Sequence, residues 1–256
     1  MSRNGVRRIA ALGGFLLALG AVPGHAGAQR PPVRHAVPVR AAVPDVADLP
    51  LDEVPATGSR RSDVMAVLLT GDGGWAHIDR VIGERLAQAG IPTVGWNSMR
   101  YYWTERTPEG ASRDLARIMA RYGTVWNRDR VVLIGYSFGA DVLPFLVNRL
   151  PPEMQARVVG ISLLGFSDNA VFKFRPGGWF GFDAGTRYPT IPEIARITRI
   201  PVSCVYGTQE RDTLCPSLHG RNVTEAPFPG AHHFDGDYDA LAAVILRTAS
   251  AVPARS

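Results

Sequence analysis

From Val64 onward the chain alternates two kinds of apolar pattern. Val64 to Thr70 (Val-Met-Ala-Val-Leu-Leu-Thr) is a continuous apolar run of strand length, and Ile78, Val81, Ile82, Leu86 and Ala89 then recur with the spacing of one helical face. Ile91 to Trp96 is the next strand. Thr107-Pro108-Glu109 starts a helix with proline in its first turn, where a missing N–H costs nothing, and Leu115, Ile118, Met119 and Tyr122 carry its stripe as far as Gly123. Arg130 to Gly135 is a strand, and Phe138, Val142, Phe145 and Leu146 belong to a helix that ends at Pro151-Pro152. Arg157 to Leu164, Ile200 to Tyr206 and Asn222 to Phe228 supply three more strands, before a closing helix through Tyr238, Leu241, Ala242, Ile245 and Leu246. Alternation of this kind implies parallel strands joined by right-handed crossovers, an α/β fold.

One junction in that series carries chemistry. Where the strand ending at Gly135 meets the next helix, the sequence reads Gly135-Tyr136-Ser137-Phe138-Gly139, a G-x-S-x-G. A serine raised on so tight a strand-to-helix turn has strained dihedrals, and the flanking glycines let strand and helix approach each other. A serine held this way can be deprotonated by a histidine and attack an acyl carbon. The five residues alone are a weak signal; the strand before and the helix after make them a nucleophile elbow and the fold an α/β-hydrolase, a mostly parallel sheet with helices on both faces.

That fold places demands on the rest of the chain. The partners of Ser137 must follow in the order acid, then histidine, on loops after later strands at the carboxyl edge of the sheet. After the strand Ile200 to Tyr206 come two acids, Glu210 and Asp212. Asp212 is preferred, because its Asp-x-Leu-x-Pro run resembles the acid loop of many hydrolases and because a disulfide could fix it. The base comes from Pro229-Gly230-Ala231-His232-His233-Phe234. A phenylalanine two positions after the histidine favours His232, and counting forward from Pro229-Gly230 favours His233, so both stand.

Acyl transfer also needs backbone N–H groups aimed at the developing oxyanion, each worth roughly 10²–10³ in rate. The amide of Phe138 is one. The turn after the first long strand, Thr70-Gly71-Asp72-Gly73-Gly74-Trp75, offers the second through Gly73 or Gly74. No lysine follows in the position a phosphate-binding loop would require. Asp72, Trp75, Tyr136 and Asp141 are expected around the substrate. The two aspartates could pair with an ammonium, although Asp141 is equally a first-turn acid at a helix N-terminus.

The ends of the chain speak of location. Arg3, Arg7 and Arg8 precede an apolar stretch from Ile9 to Val22, and Ala26-Gly27-Ala28 offers small residues at signal-peptidase spacing. The stretch is broken by glycines and is short against the roughly 20 apolar residues that span a bilayer. Residues 1–28 therefore read as a cleaved export signal, 29–48 as a proline- and alanine-rich tether without ordered structure, and 49–250 as the hydrolase domain. Loss of the signal lowers the formal charge from +5 to 25 − 23 = +2, and no basic stripe interleaved with aromatics remains, which argues against nucleic acid. The two cysteines, Cys204 and Cys215, could pair in an oxidising compartment; two thiols alone cannot make a tetrahedral zinc site. Triad chemistry requires no cofactor and no metal.

Gly71-Asp72-Gly73-Gly74-Trp75, Tyr101-Tyr102-Trp103, Gly135 to Asp141 with the following leucine-proline-phenylalanine, and His232-His233-Phe234 with Asp237-Tyr238 together resemble the VirJ/AcvB family of exported, virulence-associated bacterial proteins, from about Leu49 to Leu246. The resemblance implies a periplasmic serine hydrolase that cleaves the aminoacyl ester of lysyl-phosphatidylglycerol, with Ser137 as nucleophile and Asp212 and the histidine pair as partners. This chain has the single hydrolase domain of the shorter VirJ type. Two other readings share its features: an esterase of acyl lipids, and an interaction protein that keeps the scaffold while assisting type IV secretion proteins. The aromatic segment from Val171 to Tyr188 suits a lid or a membrane-facing patch as well as it suits an ordinary packed excursion. Tyr101-Tyr102-Trp103 reads as pocket wall or core.

Overall fold

A computed structural model describes residues 43–59, 62–174 and 186–250. The expected export signal and residues 29–42 of the expected tether lie outside them, as do Trp179, Phe180 and Phe182 of the aromatic segment. Seven strands form one sheet: β1 (Leu51–Val54), β2 (Val64–Leu69), β3 (Thr93–Trp96), β4 (Arg130–Tyr136), β5 (Val158–Leu164), β8 (Val202–Gly207) and β9 (Val223–Phe228), in the order β1-β3-β2-β4-β5-β8-β9. Every neighbouring pair is parallel except β1 with β3. β1 has only four residues and no continuous apolar run, which is why periodicity alone did not find this edge strand.

Strand periodicity divides the core. Met65, Val67 and Leu69 with Val131 and Leu133 face one side, where they pack with Leu115 and Ile118 of α3 (Pro108–Val125) and Val142 and Phe145 of α4 (Phe138–Asn148). The alternate residues Ala66, Leu68, Val132 and Ile134 meet Ile78, Ile82 and Leu86 of α1 (His77–Gln88) and Leu241 and Ile245 of α7 (Tyr238–Ser250). Each such leucine or isoleucine contributes about 1.5–3 kcal/mol of transfer free energy. The central strands are buried on both faces, so they read as unbroken apolar runs rather than alternating ones. The helix starts follow local chemistry: Thr107 Oγ1 accepts from the Gly110 amide at 3.0 Å, capping α3 one residue before its proline.

The domain begins earlier than expected. Val46, inside the stretch read as tether, is buried in the core, and Arg117 of α3 donates to the Asp45 carbonyl at 2.5 Å and pairs with Asp48 at 2.6 Å. The valines scattered among the prolines and alanines of that stretch follow no regular period, so nothing in the pattern marked Val46 as a core residue. Between β5 and β8 the chain makes an excursion: a short hairpin of β6 (Asn169–Ala170) and β7 (Tyr188–Pro189), then α6 (Ile191–Arg196). Among the described residues no helix is long and apolar enough to cross a membrane.

Candidate active site

The carboxyl ends of β4, β5, β8 and β9 converge on one cavity of about 660 Å³. Ser137 stands at the end of β4 with φ 53° and ψ −119°, a left-handed conformation that costs a serine energy and that the surroundings impose. A side chain on Gly139 would strike the Leu69 carbonyl, and one on Gly135 would strike the backbone of Gly139 and Ala140. The glycines thus let α4 start against the strand ends. Ser137 N–H donates to the Leu164 carbonyl at 2.8 Å, which fixes the elbow to β5.

His232, on the loop after β9, brings Nε2 to 2.7 Å from Ser137 Oγ. Its Nδ1 meets Glu210 Oε1 in a short hydrogen bond, and Glu210 Oε2 accepts from the Gly207 amide at 3.1 Å. The carboxylate that reaches the imidazole is therefore Glu210, not Asp212. The reason is the turn after β8: the Glu210 amide donates to the Gly207 carbonyl at 2.9 Å, a four-residue reversal that folds the Glu210 side chain back over the strand end. Asp212 lies two residues further on, exposed on the cavity rim. Glu210, through its hydrogen bond above all, holds the His232 pKa above its ordinary 6.5 against the opposing effect of burial.

A family model for the bacterial virulence protein VirJ matches residues 63–252. The chain belongs to the VirJ family. No curated protein matches the sequence of this VirJ-family chain. Solved structures share its fold at low identity. Est1E from Butyrivibrio proteoclasticus aligns at TM-score 0.55 and 13% identity over 80% of this chain and 97% of its own. The proline iminopeptidase of Mycobacterium smegmatis aligns at 0.55 and 12% over 78% and 95%. The putative non-heme bromoperoxidase BpoC of Mycobacterium tuberculosis aligns at 0.56 and 14% over 82% and 98%. The fold is that of an α/β-hydrolase.

The other expected site residues of the VirJ-family chain divide between cavity and scaffold. His233 is exposed and its Nδ1 lies 3.0 Å from the Tyr136 hydroxyl, so it turns away from Ser137. Tyr136 does not line the cavity. Its ring stacks on His232 at 5.5 Å and 27°, and its hydroxyl donates to the His232 carbonyl at 3.3 Å, which makes it a positioning residue rather than a substrate contact. Burial pushes the Tyr136 phenol well up, so it stays protonated.

Phe138 lines the cavity, and its amide, the first of α4, has no intrahelical acceptor. In the turn after β2 the residues beside Ser137 are Gly71 and Asp72; a Cβ on Gly71 would sit 3.5 Å from Ser137 Cβ, and Asp72 lines the cavity. Gly73 and Gly74 do not line it. The Gly74 amide donates to the Gly71 carbonyl at 3.2 Å and its Cα faces the Asn97 side chain, so that N–H is consumed by the turn. Trp75 is also displaced from its expected role. Its ring covers Gly95 of β3, where any side chain would collide with it, and packs toward α1.

Asp141 lines the cavity, but both of its oxygens accept from Ser167, one from the amide and one from the hydroxyl, each at 2.7 Å. It ties α4 to the loop after β5. Burial raises its pKa to about 7, opposed by these hydrogen bonds. Cys204 of β8 and Cys215 form a disulfide that anchors the far end of the acid loop. Gly165 was not among the expected residues: at φ +67° it borders His232, and a Cβ there would lie 2.6 Å from the ring's Cε1. A glycine directly after the apolar run of β5 was the available signal. Among the described residues no three His, Cys, Asp or Glu side chains converge as a metal site would require.

Proposed function

We propose that this chain is a serine hydrolase of carboxylic esters, and that its substrate is the aminoacyl ester of an aminoacylated phospholipid of the lysyl-phosphatidylglycerol type, cleaved after export to the periplasm. The observation that carries the first part is the unbroken line from Ser137 Oγ through His232 to Glu210 at a cavity. His232 Nε2 takes the proton as Oγ attacks the ester carbon, and Glu210 holds Nδ1–H and stabilises the imidazolium. The Phe138 amide, with the Gly71–Asp72 turn beside it, faces the oxyanion. The imidazolium then protonates the leaving alkoxide. Water attacks the acyl-enzyme with His232 again as base, and Ser137 is regenerated as the amino acid departs.

Cavity charge supports the second part. Of the five carboxylates that line the cavity among the described residues, Glu210 is bound to His232 and Asp141 to Ser167, which leaves Asp72, Asp168 and Asp212 to face a cation such as an aminoacyl ammonium group. Lys173 and Arg187 lie on the same wall system and can face the phosphodiester. Membership of the VirJ family, the resemblance carried by the glycine-rich turn and the elbow, and a disulfide suited to an oxidising compartment agree with this reading. The deciding experiment incubates the purified chain with lysyl-, alanyl- and unmodified phosphatidylglycerol and measures free amino acid against free fatty acid. Release of lysine with no fatty acid is expected. Fatty acid as the main product would replace the substrate with an acyl lipid, and failure of a fluorophosphonate probe to label Ser137 would overturn the hydrolase itself.

A further inference from the structure

Trp103, expected as core or pocket wall, is 60% exposed, among the most exposed large apolar side chains of the described residues. It is not isolated. Its ring stacks on Phe174 at 5.7 Å and 28°, and Phe174 lines the Ser137 cavity. Two backbone hydrogen bonds lash the segments together: Phe174 N–H donates to the Tyr102 carbonyl at 2.7 Å, and Arg106 N–H to the Phe172 carbonyl at 2.9 Å. Beneath this pair Tyr102 and Phe172 are buried and in contact, so the aromatic ledge is rigidly founded. Lys173 stands beside Phe174, 3.8 Å from the exposed Glu105, and Arg187 is exposed immediately before β7 of the small hairpin.

We propose that this ledge is a membrane-docking edge: Trp103 enters the headgroup region of an anionic phospholipid bilayer, with Lys173 and Arg187 facing its phosphates, and so sets the cavity mouth on the lipid surface. The inference rests on the lipid substrate argued above and adds how that substrate is reached. A cavity of about 660 Å³ has room for a headgroup and its ester. Each acyl chain reaches across half of the roughly 30 Å hydrocarbon core and stays in the bilayer, so the mouth must come to the membrane. An indole with one apolar face and one N–H suits the headgroup boundary, and lysine and arginine beside it add attraction to anionic lipid.

The test is flotation of the purified chain with vesicles of phosphatidylcholine alone or mixed with phosphatidylglycerol. The wild type is expected to float with the mixed vesicles and far less with phosphatidylcholine alone. Trp103→Ser should lower flotation, and lysine release from vesicle-borne lysyl-phosphatidylglycerol, by about five- to tenfold, with hydrolysis of soluble lysine ethyl ester unchanged and Trp103→Phe close to wild type. The double reversal Lys173→Glu with Arg187→Glu should remove the preference for anionic vesicles. The proposal is overturned if Trp103→Ser floats like the wild type, if the wild type floats with neither vesicle, or if Trp103 instead supports self-association in sedimentation. Loss of soluble-ester hydrolysis in the wild type would count against the hydrolase reading alone, because flotation does not depend on turnover.

Discussion

The nucleophile elbow and the acid loop both cap parallel strands at the same edge of the sheet, yet they are fixed by different means. At the elbow, backbone collisions leave no alternative: Gly135 and Gly139 have no room for a Cβ, and Ser137 must accept φ 53°. The acid loop is held at its ends. Thr208 N–H donates to the Phe228 carbonyl at 2.8 Å and Gln209 N–H to the Gly230 carbonyl at 2.9 Å, while Leu214 N–H reaches the Phe166 carbonyl at 2.9 Å beside the disulfide. Between those anchors, which carboxylate turns inward is decided by one four-residue turn. The Glu210 side chain is only 10% exposed, whereas Asp212 faces solvent. A site built by sterics is written in its immediate residues; a site built by anchors depends on where the chain is tied.

The largest expected effect comes from removing the group the elbow presents. Ser137→Ala should lower kcat/KM on a soluble ester by about 10⁴–10⁶-fold and abolish fluorophosphonate labelling, with an unchanged far-UV spectrum. Retained turnover would place the chemistry elsewhere and dissolve the comparison.

Next comes a direct contest between the two acids. Glu210→Gln should cost about 10²–10⁴-fold in kcat, because an amide cannot stabilise the imidazolium, and Asp212→Asn less than about tenfold. The reverse ranking would return the acid role to Asp212. The pH profile separates the acids further. His232 must be neutral to act as base, so kcat/KM falls as pH drops through its pKa, and that limb lies above the ordinary 6.5 because Glu210 raises it. Glu210→Gln removes the largest cause and should move the limb to lower pH; Asp212→Asn should leave it in place.

The anchors themselves are the third target. In the chain-entropy model a disulfide closing so short a loop is worth about 3 kcal/mol, so Cys204→Ala with Cys215→Ala should lower the thermal midpoint by several degrees. Since Glu210 sits within the closed loop, kcat should fall more than KM rises. Equal kcat at a temperature where both proteins are folded would show that the backbone bonds to Phe228 and Gly230 suffice.

This contrast also explains what was legible in the sequence. Buried parallel strands are continuous apolar runs, so β2, β4, β5 and β8 and their order of use were readable, and so was an elbow compressed into five residues. The edge strand β1 was missed because half-buried residues carry no run. The turn expected to supply the second oxyanion donor does border Ser137, but through Gly71 and Asp72: glycine content points to Gly73 and Gly74, and only hydrogen bonding shows that Gly74 closes the turn. Trp75 was expected around the substrate and Trp103 as pocket wall or core, whereas Trp75 covers Gly95 and Trp103 stands exposed. An indole is equally suited to covering Gly95 inside the fold and to standing exposed, and nothing short of the packing around each distinguishes them.

The smallest expected effect tests whether the histidine pair obeys the same division. His232 is the elbow-like member, bordered by Gly165, whose missing side chain makes room for the ring, and stacked on Tyr136. His233 is the loop-like member, exposed, with its Nδ1 3.0 Å from the Tyr136 hydroxyl and its ring edge-on to His232 at 5.9 Å. His233→Ala and Tyr136→Phe each remove that link while leaving the stack on His232 intact, so each should change kcat/KM by less than about tenfold and stability by about 0.5–1.5 kcal/mol. His232→Ala should approach the loss seen for Ser137→Ala. If His233→Ala were the more damaging of the two, the imidazole near Ser137 would serve a partner of the base, and the order of roles along this loop would have to be reversed.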